Sequence, residues 1–181
     1  MIQSGYYMTK FSLKNKVGRL LWQLVWVFFG RLSPTPFHRW RAWLLRAFGA
    51  KVGSGVHVYP GVKIWAPWNL EIGDGTGIGN GVTLYCQGRI ILGRRAVISQ
   101  GAHLCGGTHD YTRVDFPLVV GDIEVGDTAW VAAEAFVHPG IKIGEGAILG
   151  ARGVAVKDLE PWAIYSGNPC KFIKKRIYEA D

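Results

Sequence analysis

The stretch "VGDTAWVAAEAFVHPGIKIGEGAILGARGV", residues 125–154, decides the fold. Read in sixes it becomes VGDTAW, VAAEAF, VHPGIK, IGEGAI and LGARGV. The first residue of each unit is Val, Ile or Leu, the second is often Gly, and the fifth is small or aliphatic. A period of six is neither the 3.6-residue beat of a helix nor the two-residue alternation of an ordinary strand. It is the hexapeptide pattern of a parallel β-helix. Each unit supplies one short strand and one turn, and three units close a triangular coil. The aliphatic first residue points inward and stacks on its counterpart about 4.8 Å along the axis.

The same beat runs back to residue 52 through VGSGVH, VYPGVK, IWAPWN, IGDGTG, IGNGVT, LYCQGR, LGRRAV, ISQGAH and LCGGTH, and forward into AVKDLE. Fourteen of the fifteen units begin with Val, Ile or Leu, and Ala155 is the exception. Two-residue insertions follow IWAPWN and LYCQGR. Both fall after complete groups of three and are expected as corner loops. The 25 glycines fit many tight turns that need positive φ or close backbone approach.

The beat stops once, between LCGGTH and Val125. Leu104 to Val125 spans 21 residues where a unit step takes six. The excess predicts a loop of about residues 106–122 projecting from the coil, and long loops in compact domains are commonly functional. His109 ends the unit before the break, at an outward position. An outward imidazole beside a projecting loop is a candidate general base, and equally a loop-packing histidine. His57 and His103 also hold sixth positions, on other parts of the coil. His138 lies beside an inward position, and His38 falls in a helical stretch.

Domain organisation follows from these patterns: residues 1–51 form a helical, basic and aromatic segment, 52–160 the β-helix, and 161–181 a C-terminal cap. A short solenoid needs its ends covered. The net charge of +8 is concentrated at the N-terminus. Residues 1–51 hold nine Lys/Arg and no acid, whereas the remainder is −1. The near-neutral main domain argues against a nucleic-acid partner. The apolar run "LLWQLVWVFFG", 20–30, follows Lys10, Lys14, Lys16 and Arg19. It is too short to span a bilayer, and no small-residue cleavage site follows it. A second helix is expected after Thr35 as N-cap and Pro36, stopping at Gly49. These helices either rest at a membrane interface or hold a lipid-linked substrate, or they pack on the main domain or a neighbouring subunit. Cys86, Cys105 and Cys170 are odd in number and widely spaced, which fits a reducing cytoplasm.

The repeat together with "GGTHD", the extruded loop and "VGDTAWVAAEAFVHPGIKIGEGAILGARGVAVKDLEPWAIYSGNPCKFIKKR" resembles the left-handed β-helix O-acetyltransferases over residues 52–176. The N-terminal "RLLWQLVW" and the "SQGAHLCGGTHDYT" run are most similar to the colanic-acid type, bacterial cytoplasmic enzymes of exopolysaccharide assembly. The resemblance implies an all-β main domain, a left-handed parallel β-helix of hexapeptide repeats, assembled as a homotrimer with sites between neighbours. It implies acetyl-CoA as acyl donor with no metal, and a sugar or lipid-linked sugar as acceptor. The family's catalytic histidine maps onto His109. Asp110 would either orient the imidazole, contact the acceptor or cap the loop turn. Positions lining the pantetheine map onto Ala133 and Ala151, with Trp130 at the family's aromatic place. Val156, Lys157 and Lys171 map near the adenine end, and Lys157, Lys171 and Arg152 would meet the CoA phosphates. The maltose and galactoside branch carries an Asn and acidic residues on the coil before the histidine. Gly81, Cys86 and Gln87 stand there instead, so acceptor contacts must differ; Tyr85 and Gln87 are the candidates. The alternatives are another hydroxyl acceptor (an antibiotic or serine), a γ-carbonic-anhydrase-like metal protein, and a structural assembly module.

Overall fold

The computed structural model describes residues 6–8 and 11–177; Lys10 and the last four residues of the expected cap, 178–181, lie outside them. The core is a parallel β-helix with three sheets as its faces. The first face stacks Lys51–Val52, Leu70–Ile72, Ile90–Leu92, Ile123–Val125 and Lys142–Ile143. The second stacks His57–Val58, Gly77–Ile78, Val97–Ile98, Trp130–Val131 and Ile148–Leu149. The third stacks Lys63–Ile64, Thr83–Tyr85, His103–Cys105, Phe136–Val137 and Val154–Ala155.

The aliphatic first positions are in register down each face. Val58, Ile78, Ile98, Val131 and Leu149 pair in sequence on the second, and Ile64, Leu84, Leu104, Val137 and Ala155 on the third. All of these are buried. A strand of two or three residues cannot stand alone, because its apolar side would face water. Stacking on the next coil removes that surface and pairs the backbone at once.

The turns depart from expectation in one respect. One corner repeats a left-handed residue through six coils: Gly55, Gly75, Arg95, Thr128, Gly146 and Trp162. Glycine is favoured where φ is positive, yet Arg95, Thr128 and Trp162 adopt the same conformation because the coils above and below impose it. The two-residue insertions also correct the sequence reading. Leu70–Glu71 and Ile90–Ile91 are strand residues, not corner loops. They pair with each other, and Leu70 and Ile90 are buried. The apolar first residue of each insertion draws it into the sheet.

Helix α1 (Leu13–Val25) is capped by Ser12, whose hydroxyl accepts from the Asn15 amide. It runs on as a π-helical turn, Trp26–Arg31, and α2 spans His38–Ala47. Thr35 does not cap α2; Phe37 occupies the N-cap without a side-chain hydrogen bond. The reason is Arg41. Its fully buried guanidinium gathers the Ser33 hydroxyl and the carbonyls of Pro34, Thr35 and Val58. That pulls the segment before the helix onto the first coil.

Trp22 and Trp26 close the N-terminal end of the core. Their indole N–H groups donate to the Ile64 and Val62 carbonyls at 2.9 and 2.8 Å. Trp22 is wholly buried between Trp26 and Phe48. Trp22→Ala removes this filling and leaves the Ile64 carbonyl without its donor. The expected loss is about 3–5 kcal/mol of unfolding free energy, read as a lower urea midpoint. At the other end, Ala163–Ser166 and Lys171–Lys175 extend the second face as an antiparallel pair. The three cysteines are free. Cys86 points into the core, where burial pushes its thiol up to about 11.

Candidate active site

The third-to-first corner is short in two successive coils and long in the next. Tyr85 to Ile90 spans five residues, whereas their partners one coil on, Cys105 and Ile123, are eighteen apart. The added chain is not an irregular loop. Gly107–His109 and Leu118–Gly121 form an antiparallel hairpin, and Tyr6–Met8 adds a third strand to its far edge. Tyr6 donates its hydroxyl to the Pro139 carbonyl and Tyr7 donates to Asp122, so the N-terminal strand ties the hairpin to the coil.

His109 sits at the end of the first hairpin strand, exposed to solvent. Its Nδ1 lies 2.8 Å from the Phe116 carbonyl, and its ring stacks on the Phe116 ring with centroids 4.7 Å apart and planes 8° from parallel. A carbonyl only accepts, so Nδ1 carries a proton, and in the neutral imidazole Nε2 then presents a lone pair. Phe116 holds this position at φ 43°, an uncommon conformation for a bulky residue.

Asp110 does not touch the imidazole through any hydrogen bond seen here. Its carboxylate accepts from the Thr112 hydroxyl at 2.6 Å and the Thr112 amide at 3.0 Å, which holds it below the usual carboxylate range. Together with the Arg113–Asp115 ion pair it shapes the hairpin tip.

Two glycines let the hairpin leave the coil. A Cβ on Gly106 would meet the Tyr85 carbonyl oxygen at 2.8 Å, and one on Gly107 would meet Gln87 Oε1 at 1.9 Å. Tyr85 and Gln87 therefore lie directly under the root of the strand that carries His109. Gln87 donates from Nε2 to the Tyr85 hydroxyl at 2.8 Å, while its Oε1 is shielded and without a partner. Cys86 faces the core between them. Beside Tyr85, His103 is half-buried; burial first, then the Lys63 ammonium, hold its imidazole below the ordinary value.

The remaining predicted residues lie on later coils, Ala133, Ala151 and Arg152 at the second-to-third corner and Val156 and Lys157 at the third-to-first. Ala133 and Ala151 are equivalent positions one coil apart, since Val131 pairs with Leu149 and the Arg152 amide donates to the Ala133 carbonyl at 2.9 Å. Trp130 is partly exposed on the strand before them, its indole N–H on Ser99 Oγ. Arg152 is committed to Glu134 at 2.6 Å, so its charge is already matched. Val156 and Lys157 leave the last strand of the third face, exposed. The Cys170 amide donates to the Val154 carbonyl, which sets exposed Lys171 beside them. Two small side chains at one corner, with Lys157 and Lys171 exposed near the end of the coil and without an ion pair among the described residues, suit a slender chain ending in phosphates. Among the described residues no three His, Cys, Asp or Glu side chains converge as a metal site.

Phe116 and Ser99 were not singled out by the sequence. The Ser99–Trp130 contact was available from register, since Trp130 pairs with Val97. The Phe116 contact depends on the hairpin's reversal and had no periodic signal.

The β-helix is a fold found in solved structures. A hexapeptide-repeat acetyltransferase of Vibrio cholerae, solved with acetyl coenzyme A, superposes with a TM-score of 0.82 at 19% identity, covering 92% of this chain and 91% of that one. A likeness at that identity speaks for the fold. No protein-family model matches the chain. The protein described as the colanic acid biosynthesis acetyltransferase WcaF of Escherichia coli (strain K12) is 40% identical over 175 residues, 96% of each chain. A chloramphenicol acetyltransferase of Escherichia coli is 48% identical over 61 residues, 34% of this chain and 29% of that protein. The chain belongs to the hexapeptide-repeat acetyltransferases. Its similarity to the Escherichia coli protein WcaF runs along nearly the whole length.

Proposed function

We propose that the protein transfers an acetyl group from acetyl-CoA directly to a sugar hydroxyl of an exopolysaccharide precursor, with His109 as general base. The observation that carries this reading is the approach of His109 Nδ1 to the Phe116 carbonyl oxygen at 2.8 Å. The Phe116 carbonyl accepts a hydrogen bond from Nδ1–H, so in the neutral imidazole Nε2 is free to accept the proton of an acceptor hydroxyl. As that proton leaves, the hydroxyl oxygen bonds to the thioester carbonyl carbon, the C–S bond breaks, and the imidazolium returns its proton to the departing thiolate. Ser and Cys nucleophiles are not needed, and Cys86 is held protonated in the core.

Ala133 and Ala151 would let the pantetheine arm approach the backbone, and Lys157 and Lys171 would meet the CoA phosphates as cations. Asp110 serves the hairpin turn. Tyr85 and Gln87, under the hairpin root, are the acceptor contacts. His109 and the Ala133–Ala151 stripe leave different corners of one chain. A homotrimer, in which a neighbour's stripe comes to this hairpin, completes the site. The whole-length relation to a colanic acid biosynthesis protein supports a sugar acceptor from polysaccharide assembly over a soluble antibiotic, which only a 61-residue segment supports.

The test is thiol release from acetyl-CoA by the purified protein with nucleotide-linked sugars, lipid-linked sugars and chloramphenicol as separate acceptors. Acceptor-dependent release with a sugar is expected. Release with chloramphenicol alone sinks the sugar assignment, and none with any acceptor sinks the reading of the acyl donor.

A further inference from the structure

Helix α1 is apolar on two opposite sides. One side is used: Gly18 packs against Trp68, and Trp22 and Trp26 reach the first coil. The other side carries Leu13, Val17, Leu20, Leu21 and Leu24, joined by Phe28 of the π-helical turn, each between 51% and 77% exposed. These positions recur at three- and four-residue spacing, so they form one continuous stripe. The stripe continues into α2. The Trp40 indole donates to the Phe29 carbonyl at 2.8 Å, and Trp40 stacks on exposed Trp43 with centroids 5.1 Å apart. An exposed apolar surface of this extent marks an interaction site rather than ordinary surface.

The charge around it chooses the partner. The first acidic residue of the chain is Glu71. Lys14 and Lys16 are exposed on α1 beside the stripe, Arg31 and Arg39 are exposed on the segments that follow it, and among the described residues none makes an ion pair. Two copies meeting face to face would bring these like charges together. An anionic bilayer instead takes the apolar stripe into its acyl boundary and pairs these cations with lipid phosphates. Trp and Phe beside the stripe suit the headgroup depth. No described helix is long and apolar enough to cross a membrane; α1, at 13 residues, spans about 20 Å against a hydrocarbon core of about 30 Å. We infer that the outer side of α1 and the adjoining tryptophans of α2 form a docking face for an anionic membrane surface, with α1 lying in its plane.

The test is flotation of the full chain with vesicles of phosphatidylcholine alone, and with about one-third phosphatidylglycerol. The protein is expected to float with the anionic vesicles and several-fold less with the neutral ones, the difference shrinking as salt rises. Leu20→Glu/Leu24→Glu/Phe28→Glu alters only exposed positions. It is expected to lower the vesicle-bound fraction about tenfold or more, with an unchanged thermal midpoint. Lys14→Glu/Lys16→Glu is expected to weaken binding to anionic vesicles alone. Absence of flotation with either vesicle, or equal flotation with both, overturns the inference. So does a fall in sedimentation mass of the triple variant, which would make this face a contact between copies. The readout does not depend on acetyl transfer, so its failure leaves the catalytic reading standing.

Discussion

Replacing His109 by alanine is expected to lower kcat by about 10²–10⁴-fold while leaving the fold and the thermal midpoint nearly unchanged. The two halves of this expectation have separate causes. His109 is exposed, so its removal opens no cavity in the β-helix core. The Phe116 carbonyl loses its donor, but at an exposed site water replaces it, at little cost. What disappears is the positioned Nε2 lone pair. Without it the acceptor hydroxyl must give up its proton to solvent as it attacks. The loss should fall on kcat, with the KM for acetyl-CoA little altered, because in this reading Ala133, Ala151, Lys157 and Lys171, and not His109, hold the coenzyme. His109→Asn keeps a donor to Phe116 but offers no base, and is expected to be as inactive as the alanine variant. Steady-state kinetics with the best acceptor checks both. A His109→Asn enzyme within tenfold of wild type would make the hydrogen bond to Phe116, and not proton transfer, the residue's contribution.

How much of this was legible beforehand depends on what each feature rests on. The coil was legible because its cause is local and repeated. An aliphatic residue every six positions has one economical way to be buried, and the register Ile64–Leu84–Leu104–Val137–Ala155 is that way. The outward place of His109 followed from the same count. The insertions misled, because Leu70–Glu71 and Ile90–Ile91 look like spacers until their pairing is seen. The hairpin was read as a loop because its two strands follow no six-residue rule. Its partner strand, Tyr6–Met8, lies more than a hundred residues away in sequence. The Arg152–Glu134 ion pair, by contrast, lay within reach of the repeat. It joins equivalent corners of successive coils, and only the coil geometry makes residues 18 apart neighbours. That pairing withdraws Arg152 from the cations free to meet a phosphate and leaves Lys157 and Lys171. Interactions between neighbours one coil apart were thus recoverable from the repeat, whereas those created by the interruption were not.

The interruption also makes the site sensitive at a residue that touches no reactant. Gly106 is pinned at the hairpin root by three backbone hydrogen bonds. Its amide donates to the Tyr85 carbonyl at 2.9 Å, and its carbonyl accepts from Gly88 and Gly121 at 3.3 and 3.2 Å. A Cβ there would lie 2.8 Å from that same Tyr85 oxygen. The obstacle is backbone, held where Tyr85 pairs with Cys105 in the sheet, and cannot step aside. The root of the hairpin must lift instead. A displacement of about 1 Å at a catalytic group commonly costs about 10²-fold in rate, so Gly106→Ala is expected to lower kcat by about that factor. The accompanying loss of stability should be about 1–3 kcal/mol, as for other overpacked sites. Gly107 supplies the contrast. Its Cβ would meet Gln87 Oε1, the end of a flexible side chain that can turn away. Gly107→Ala should therefore cost only a few-fold in kcat, and Gly107→Ala/Gln87→Ala should recover part of it if Gln87 serves the geometry more than the acceptor. Turnover of the three variants at saturating acetyl-CoA, beside their urea midpoints, decides the matter. A Gly106→Ala protein that turns over like wild type would show that the coil does not position His109 through the hairpin root.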